Sequence, residues 1–216
     1  MSSAAPSGDV TFLFTDIEGS TRRWERNPLG MRRALVTHDR IVQRAIVDRR
    51  GYVFKTFGDE FCAAFANAAD AVEAAYEVTR ALACEDFSEV GGLKVRAAIH
   101  AGTADERDGD YFGEVVNRVA RLLAVGHGGQ VLLSGTVADR VRDRLPAGAA
   151  LRDLGGTGSR ISRAEHVFQL DGPDLAPSFP ALLSLSTHRN NLPLQLTQLV
   201  GREGDLVELR ESGVRA

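Results

Sequence analysis

The stretch VTFLFTDIEGST, Val10–Thr21, limits the fold of this chain more than any other. An apolar run of strand formers ends at Asp16-Ile17, and a Glu-Gly-Ser-Thr turn follows. That composition reads as a buried strand delivering one carboxylate, Asp16, to the rim of a sheet. A second stretch, Phe54-Lys55-Thr56-Phe57-Gly58-Asp59-Glu60-Phe61, sets Asp59 at a glycine turn between two short apolar runs, as in a β-hairpin. Taken singly, each aspartate is ordinary turn chemistry. If the two strands are neighbours, the carboxylates converge. Mg²⁺ prefers oxygen ligands and completes its shell with substrate phosphates, so such a pair can hold two hard divalent cations against a nucleotide triphosphate.

The 216 residues suffice for one well-packed domain and an appendage. A hydrophobic share of 44% and a charged share of 25% imply a globular core. The formal net charge of -3 argues against a general nucleic-acid binder, which would favour a basic surface. No apolar run approaches a membrane span, and the first eight residues lack the charged start and apolar centre of a secretion signal. A soluble cytoplasmic protein is expected. Cys62 and Cys84 lack metal-ligand spacing and read as buried thiols. His100, in an apolar run, reads as a hydrogen-bonded strand residue.

In chain order, residues 1–8 read as a disordered leader and residues 9–171 as the folded domain. After the first strand come a short helix carrying Trp24 and a longer one over about 31–50, whose arginines read as a solvated face. The hairpin around Gly58-Asp59 follows, then a helix over 68–83 and a strand over 93–100. The order β, α, β, β, α, β is that of an α+β fold with a ferredoxin-like core, an antiparallel sheet with helices on one face. Residues 104–110 read as a charged loop. On a helix over 113–124, Val115, Val116, Val119, Leu122 and Leu123 share one side, while Asn117 and Arg121, four residues apart, share the other. Short strand and helix patterns continue to about residue 170. Pro173, Pro177 and Pro180 then mark 172–216 as a linker followed by a fragment of helix.

Taken together, FTDIEGST, Lys55-Thr56-Phe57-Gly58-Asp59, Asp110-Tyr111-Phe112-Gly113 and Val116-Asn117-Arg118-Val119-Ala120-Arg121 resemble the class III adenylyl/guanylyl cyclase catalytic domain. The likeness is strongest to the actinobacterial type that precedes a signalling ATPase. The resemblance implies a head-to-tail homodimer with active sites at its interface and two divalent cations, Mg²⁺ or Mn²⁺. Asp16 and Asp59 would hold those cations, assisted by the Ile17 carbonyl. Lys55 and Asp110 take the positions that read adenine, so ATP is the expected substrate. Asn117 would position the ribose, and Arg121 would stabilise charge developing on the α-phosphate.

The chain departs from the family pattern over Leu154–Arg163, which has no Lys to grip the terminal phosphates. Arg160 is the expected substitute, although its planar fork is not interchangeable with an ammonium. Residues 191–193 and 199–203 resemble the entry to the ATPase domain of larger relatives, so either this is a truncated relative or a signalling ATPase or other regulator is encoded separately. Two alternatives to an active adenylyl cyclase stand beside it. One is a catalytically weak cyclase-like module that dimerises and regulates a partner. The other is a diguanylate cyclase, suggested by Gly58-Asp59-Glu60-Phe61 but opposed by Phe57, which stands where that family expects glycine.

Overall fold

The computed structural model describes residues 5–156 and 166–183. Strand β1 (Gly8–Ile17) leads into helices α1 (Ser20–Arg26) and α2 (Pro28–Asp48), the hairpin β2 (Tyr52–Phe57) and β3 (Glu60–Phe65), and α3 (Ala68–Ala83). Strand β4 (Val95–Arg107), β5 (Asp110–Phe112), α4 (Glu114–Val125), β6 (Val131–Ser134), α5 (Gly135–Val141), β7 (Ala150–Gly156) and β8 (His166–Asp171) complete it. The strands line up as β2-β3-β1-β4-β6-β8-β7, with β5 paired to the end of β4. This is the expected α+β architecture with two refinements. β4 and β6 run parallel, because α4 supplies the crossover that a parallel pair needs. Helices also cover both faces of the sheet, which accounts for the unbroken apolar reading of β1.

Alternation along β1 divides the core. Leu13 and Ile17 join the cluster packed under α2, α3 and α5, together with Phe61, Val95 and Ile99. Val10, Phe12 and Phe14 join the cluster under α4, with Cys62, Ala98 and Tyr111. In that second cluster Phe12, Phe54 and Tyr111 meet edge to face, with ring centroids 5.0–5.9 Å apart. Asp16 continues the same alternation and therefore belongs to the α4 face.

Local chemistry explains the boundaries that differ from expectation. Helix α2 starts at Pro28 rather than near residue 31, because proline is favourable in a first turn and the Asn27 side chain accepts the Gly30 N–H at 2.9 Å. Residues 104–110 are not a plain loop: β4 continues through them and turns back into β5. Asp108 and Gly109 make that turn with φ of 54° and 79°, the left-handed pair that a two-residue hairpin requires. Cys84 is exposed at the end of α3, whereas Cys62 is buried as expected. Within the expected leader, β1 begins at Gly8 and the Pro6 carbonyl accepts the Tyr111 hydroxyl at 2.6 Å. Beyond β8, residues 172–183 run along the domain surface, with Leu175 buried.

His100 Nδ1 lies 2.8 Å from Ser134 Oγ, bridging β4 and β6 as expected of a satisfied strand residue. Burial, reinforced by the positive charges of Arg118 and Arg140, lowers its pKa from 6.5 to about 4. The unfolded chain therefore binds the extra proton first on acidification. Stability is fully present above about pH 6.5 and is lost as pH falls toward 4. Urea titrations of wild type and His100→Asn across that window are expected to show a steeper acid loss in the wild type.

Candidate active site

The sheet rim beside α1 gathers the acidic residues. Asp16 stands second from the end of β1, directly opposite Arg96 on β4 in the antiparallel register. Arg96 donates from Nε and Nη2 to the same oxygen, Asp16 Oδ2, at 2.9 and 2.6 Å. Asp59 comes from the β2–β3 turn, where Gly58 adopts a φ of 59°. Its Oδ2 accepts the Ile17 backbone N–H at 3.1 Å, which ties the hairpin tip to the end of β1. The two aspartates predicted to meet thus do meet. Asp59 lies close enough to raise the Asp16 pKa through both charge and a hydrogen bond.

Glu60 is a third member of this cluster that sequence reasoning missed. Burial raises its pKa, and the charges of Asp16 and Asp59 add to the rise. Its Oε1 also accepts a weak bond from Cys62 Sγ at 3.7 Å, and burial with Glu60 beside it pushes the Cys62 thiol upward. For Asp16, burial is the largest influence and raises the pKa, while Arg96 opposes it. Among the described residues, the Arg96 guanidinium acts on Asp16 and Glu60, and Asp59 adds a third carboxylate beside them. Such a deficit of positive charge suits hard divalent cations, since Mg²⁺ is commonly held by one or two carboxylates plus water and phosphate oxygens. Among the described residues, no three His, Cys, Asp or Glu side chains form a ready-made cage. The remaining ligands would come from backbone, water and substrate.

Lys55 and Asp110 meet on the same face. Lys55 sits beside a register shift in β2, opposite Cys62, and its Nζ reaches Asp110 Oδ2 at 2.5 Å. The Lys55 ammonium also lies 5.5 Å from the centre of the Phe57 ring. Asp110 opens β5, and its Oδ1 accepts the Tyr111 N–H at 2.8 Å. Buried Tyr111 thereby anchors the acid to the aromatic cluster. Asn117 and Arg121 are both exposed on α4, while Val115, Val116, Val119, Leu122 and Leu123 of the same helix are buried, as the helical spacing implied. Arg160 lies outside the described residues. Arg96 was also missed in the sequence: a single arginine in an apolar run has no local cue, and only strand register sets it against Asp16.

An α+β sheet of this topology, with paired aspartates and a Lys/Asp couple on one face and an Asn/Arg helix beside them, defines a nucleotide cyclase domain. Comparison bears this out. The family described as "Adenylate and Guanylate cyclase catalytic domain" matches residues 2–153, and the chain belongs to it. It is 38% identical over 205 residues to an uncharacterised protein of Mycobacterium tuberculosis, covering 93% of this chain and 70% of the relative. It is 35% identical over 157 residues to the adenylate cyclase of Schizosaccharomyces pombe, a match to 61% of this chain but 9% of that much longer protein. Among solved structures, an adenylate cyclase of Trypanosoma brucei, described in its monomeric state, superposes with a TM-score of 0.73 at 29% identity. That match covers 83% of this chain and 96% of the other.

Asp59→Ala deletes the acceptor of the Ile17 N–H, and hydrogen bonds to charged groups contribute roughly 1.5–3 kcal/mol at most. The expected result is faster amide exchange at Ile17 with a modest loss of global stability, measured by NMR exchange and urea denaturation.

Proposed function

We propose that the chain is an adenylyl cyclase, converting ATP to 3′,5′-cyclic AMP and pyrophosphate as a homodimer. One observation carries the reading: Asp16 and Asp59 converge on the sheet face that also holds the Lys55–Asp110 pair. A triphosphate seated over the aspartates would put its purine toward Lys55 and Asp110. Adenine offers an accepting ring nitrogen beside a donating amino group, which an ammonium and a carboxylate complement. Opening the Lys55–Asp110 ion pair costs little when each partner regains a hydrogen bond from the base.

The reaction is an in-line attack of the ribose 3′-hydroxyl on the α-phosphate. Two divalent cations held by Asp16 and Asp59, with the Ile17 carbonyl assisting, would acidify the attacking hydroxyl and stabilise the leaving oxygen. Asn117 orients the ribose, and Arg121 takes up charge developing on the α-phosphate. Both stand exposed on α4, which fits their supply by the second copy. Arg96, paired to Asp16 in the nucleotide-free chain, becomes available to the phosphates once a cation replaces it at that oxygen. Arg160 is assigned to the terminal phosphates.

No described helix is long and apolar enough to cross a membrane. We place the protein in the cytoplasm, with its C-terminal segment as the connection to a signalling ATPase or another regulator. A weak regulatory module is the second reading, favoured by the missing late lysine. The diguanylate alternative is dropped, because the matching family is the adenylate and guanylate cyclase one.

Purified protein with Mn²⁺ and ATP is expected to form cyclic AMP, and Asp59→Ala to abolish it. Arg121→Ala should lower kcat by about 10²–10³, the cost of removing a preorganised donor. Equal silence of wild type and Asp59→Ala on both ATP and GTP would leave the regulatory module standing. A separate test concerns base choice. Lys55→Glu combined with Asp110→Ser should shift the ratio of kcat/KM values toward GTP, and an unchanged ratio would remove these residues from base recognition.

A further inference from the structure

After β8, residues 172–183 run over the domain surface to the C-terminal end of α4. Leu175 is buried and its N–H reaches the Gly172 carbonyl at 3.1 Å, while Arg152 Nη2 donates to the Pro177 carbonyl at 3.1 Å. Phe179 lies over Gly129, and His127 Nε2 is 3.0 Å from the Ala181 carbonyl. Leu182 then packs against the α4-side cluster, and the Leu183 N–H donates to the Val125 carbonyl at 2.9 Å.

That last bond matters because of its neighbour. Carbonyls in the final turn of a helix lack intrahelical partners and accept from outside. At the end of α4, Val125 takes the Leu183 N–H, while the adjacent Ala124 carbonyl takes Arg96 Nη1 at 3.5 Å, the long end of the hydrogen-bond range. The same arginine holds Asp16 Oδ2 through its other two nitrogens. A continuous path of contacts therefore runs from Leu183 through the end of α4 and Arg96 to Asp16.

We propose that residues 172–183 are an autoinhibitory strap. Docked, they fix the last turn of α4, so that Ala124 steadies Arg96 over Asp16. Undocked, they release that turn and let Arg96 yield Asp16 to a divalent cation. The proposal rests on the reading of Asp16 as a cation ligand. A guanidinium bound to the carboxylate competes with the cation, so apparent cation affinity falls with the fraction of chains in which Arg96 is seated. Residues 179–183 are suited to release: they have no helix or strand of their own and are held by two hydrogen bonds and the apolar contacts of Phe179 and Leu182, which marks the low-stability end of a fold. By linkage, if undocking tightens the cation site, an arriving cation loosens the strap by the same factor.

The test titrates the full chain with Mn²⁺ by electron paramagnetic resonance in the presence of 3′-deoxy-ATP, which cannot be cyclised. Leu182→Asp and His127→Ala remove two different tethers and are each expected to lower the Mn²⁺ dissociation constant by about fivefold or more, the lower end of ordinary coupling. In an Arg96→Ala background the same changes should have no effect, because the path runs through that side chain. Hydrogen exchange in 179–183 of the wild type should rise when Mn²⁺ and nucleotide bind. Unchanged affinity in both tether variants, or an equal gain with and without Arg96, overturns the strap. Mn²⁺ binding that ignores Asp16→Asn overturns the cation reading beneath it, which separates the two failures.

Discussion

The pairing of β1 with β4 is the constraint from which the site follows. Ten consecutive residue pairs, from Gly8 opposite Ala104 to Ile17 opposite Val95, set Asp16 against Arg96. A slip of one residue would turn Asp16 to the α2–α3 face and bring Thr15 or Ile17 to the α4 face. What prevents the slip is packing. Phe12 and Phe14 fill the α4-side cluster while Leu13 and Ile17 fill the other, so a shifted β1 would bury the carboxylate and misplace four apolar side chains. The same alternation that builds the core thus aims the acid at the rim.

Electrostatically, the site contains two contrasting pieces. Lys55 and Asp110 neutralise each other one to one, so that part of the pocket is at rest without a ligand. The acidic cluster is under-neutralised, with Asp16 and Glu60 both raised by burial and by like charges. A carboxylate whose folded pKa is raised destabilises the fold as pH climbs through that window and above it, because the folded chain holds its proton longer than the unfolded one. The fold carries this cost at neutral pH, and a cation bound there as proposed would relieve it. In the proposed reading, this asymmetry would make the rim, rather than the Lys55 end, the place where a cation binds and the strap acts.

Much of this was legible in the sequence where the cue is local. The β1 run, the Gly58-Asp59 turn, the span of α3 and the buried face of α4 all follow from apolar period and turn chemistry. What was not legible depends on pairing between distant segments. The charges of 104–107 look like a solvated loop, yet they line a projecting ribbon whose Asp108-Gly109 turn was the available signal. Arg96 carries no motif of its own, and register alone sets it against Asp16, while Glu60 follows Asp59 in a motif that points to a different family and gives no cue to its place in this cluster. The proline-rich composition after Gly172 does suggest a linker, because such segments lack periodicity whether they hang free or lie against a domain. Contacts such as the buried Leu175 and the Leu183–Val125 bond distinguish the two.

The exposure of Asn117 and Arg121 has a further physical meaning in the proposed dimer. In a twofold assembly each copy presents the same surface, so a face offering an acidic cluster must also offer what the partner's cluster lacks. Among the described residues, one chain has too little positive charge at its rim and carries an exposed arginine, Arg121, on α4. Bringing Arg121 of one copy toward the acids of the other improves both sites at once, and electrostatic complementarity of this kind speeds encounter and fixes orientation more than it adds affinity. The attraction also weakens as cations fill the rim. Association driven by the empty acidic cluster and catalysis driven by the filled one would therefore pull in opposite directions, unless bound triphosphate restores the negative charge that the cations remove. In the proposed dimer, substrate would then serve as the counter-charge that keeps the two copies together while the site is loaded.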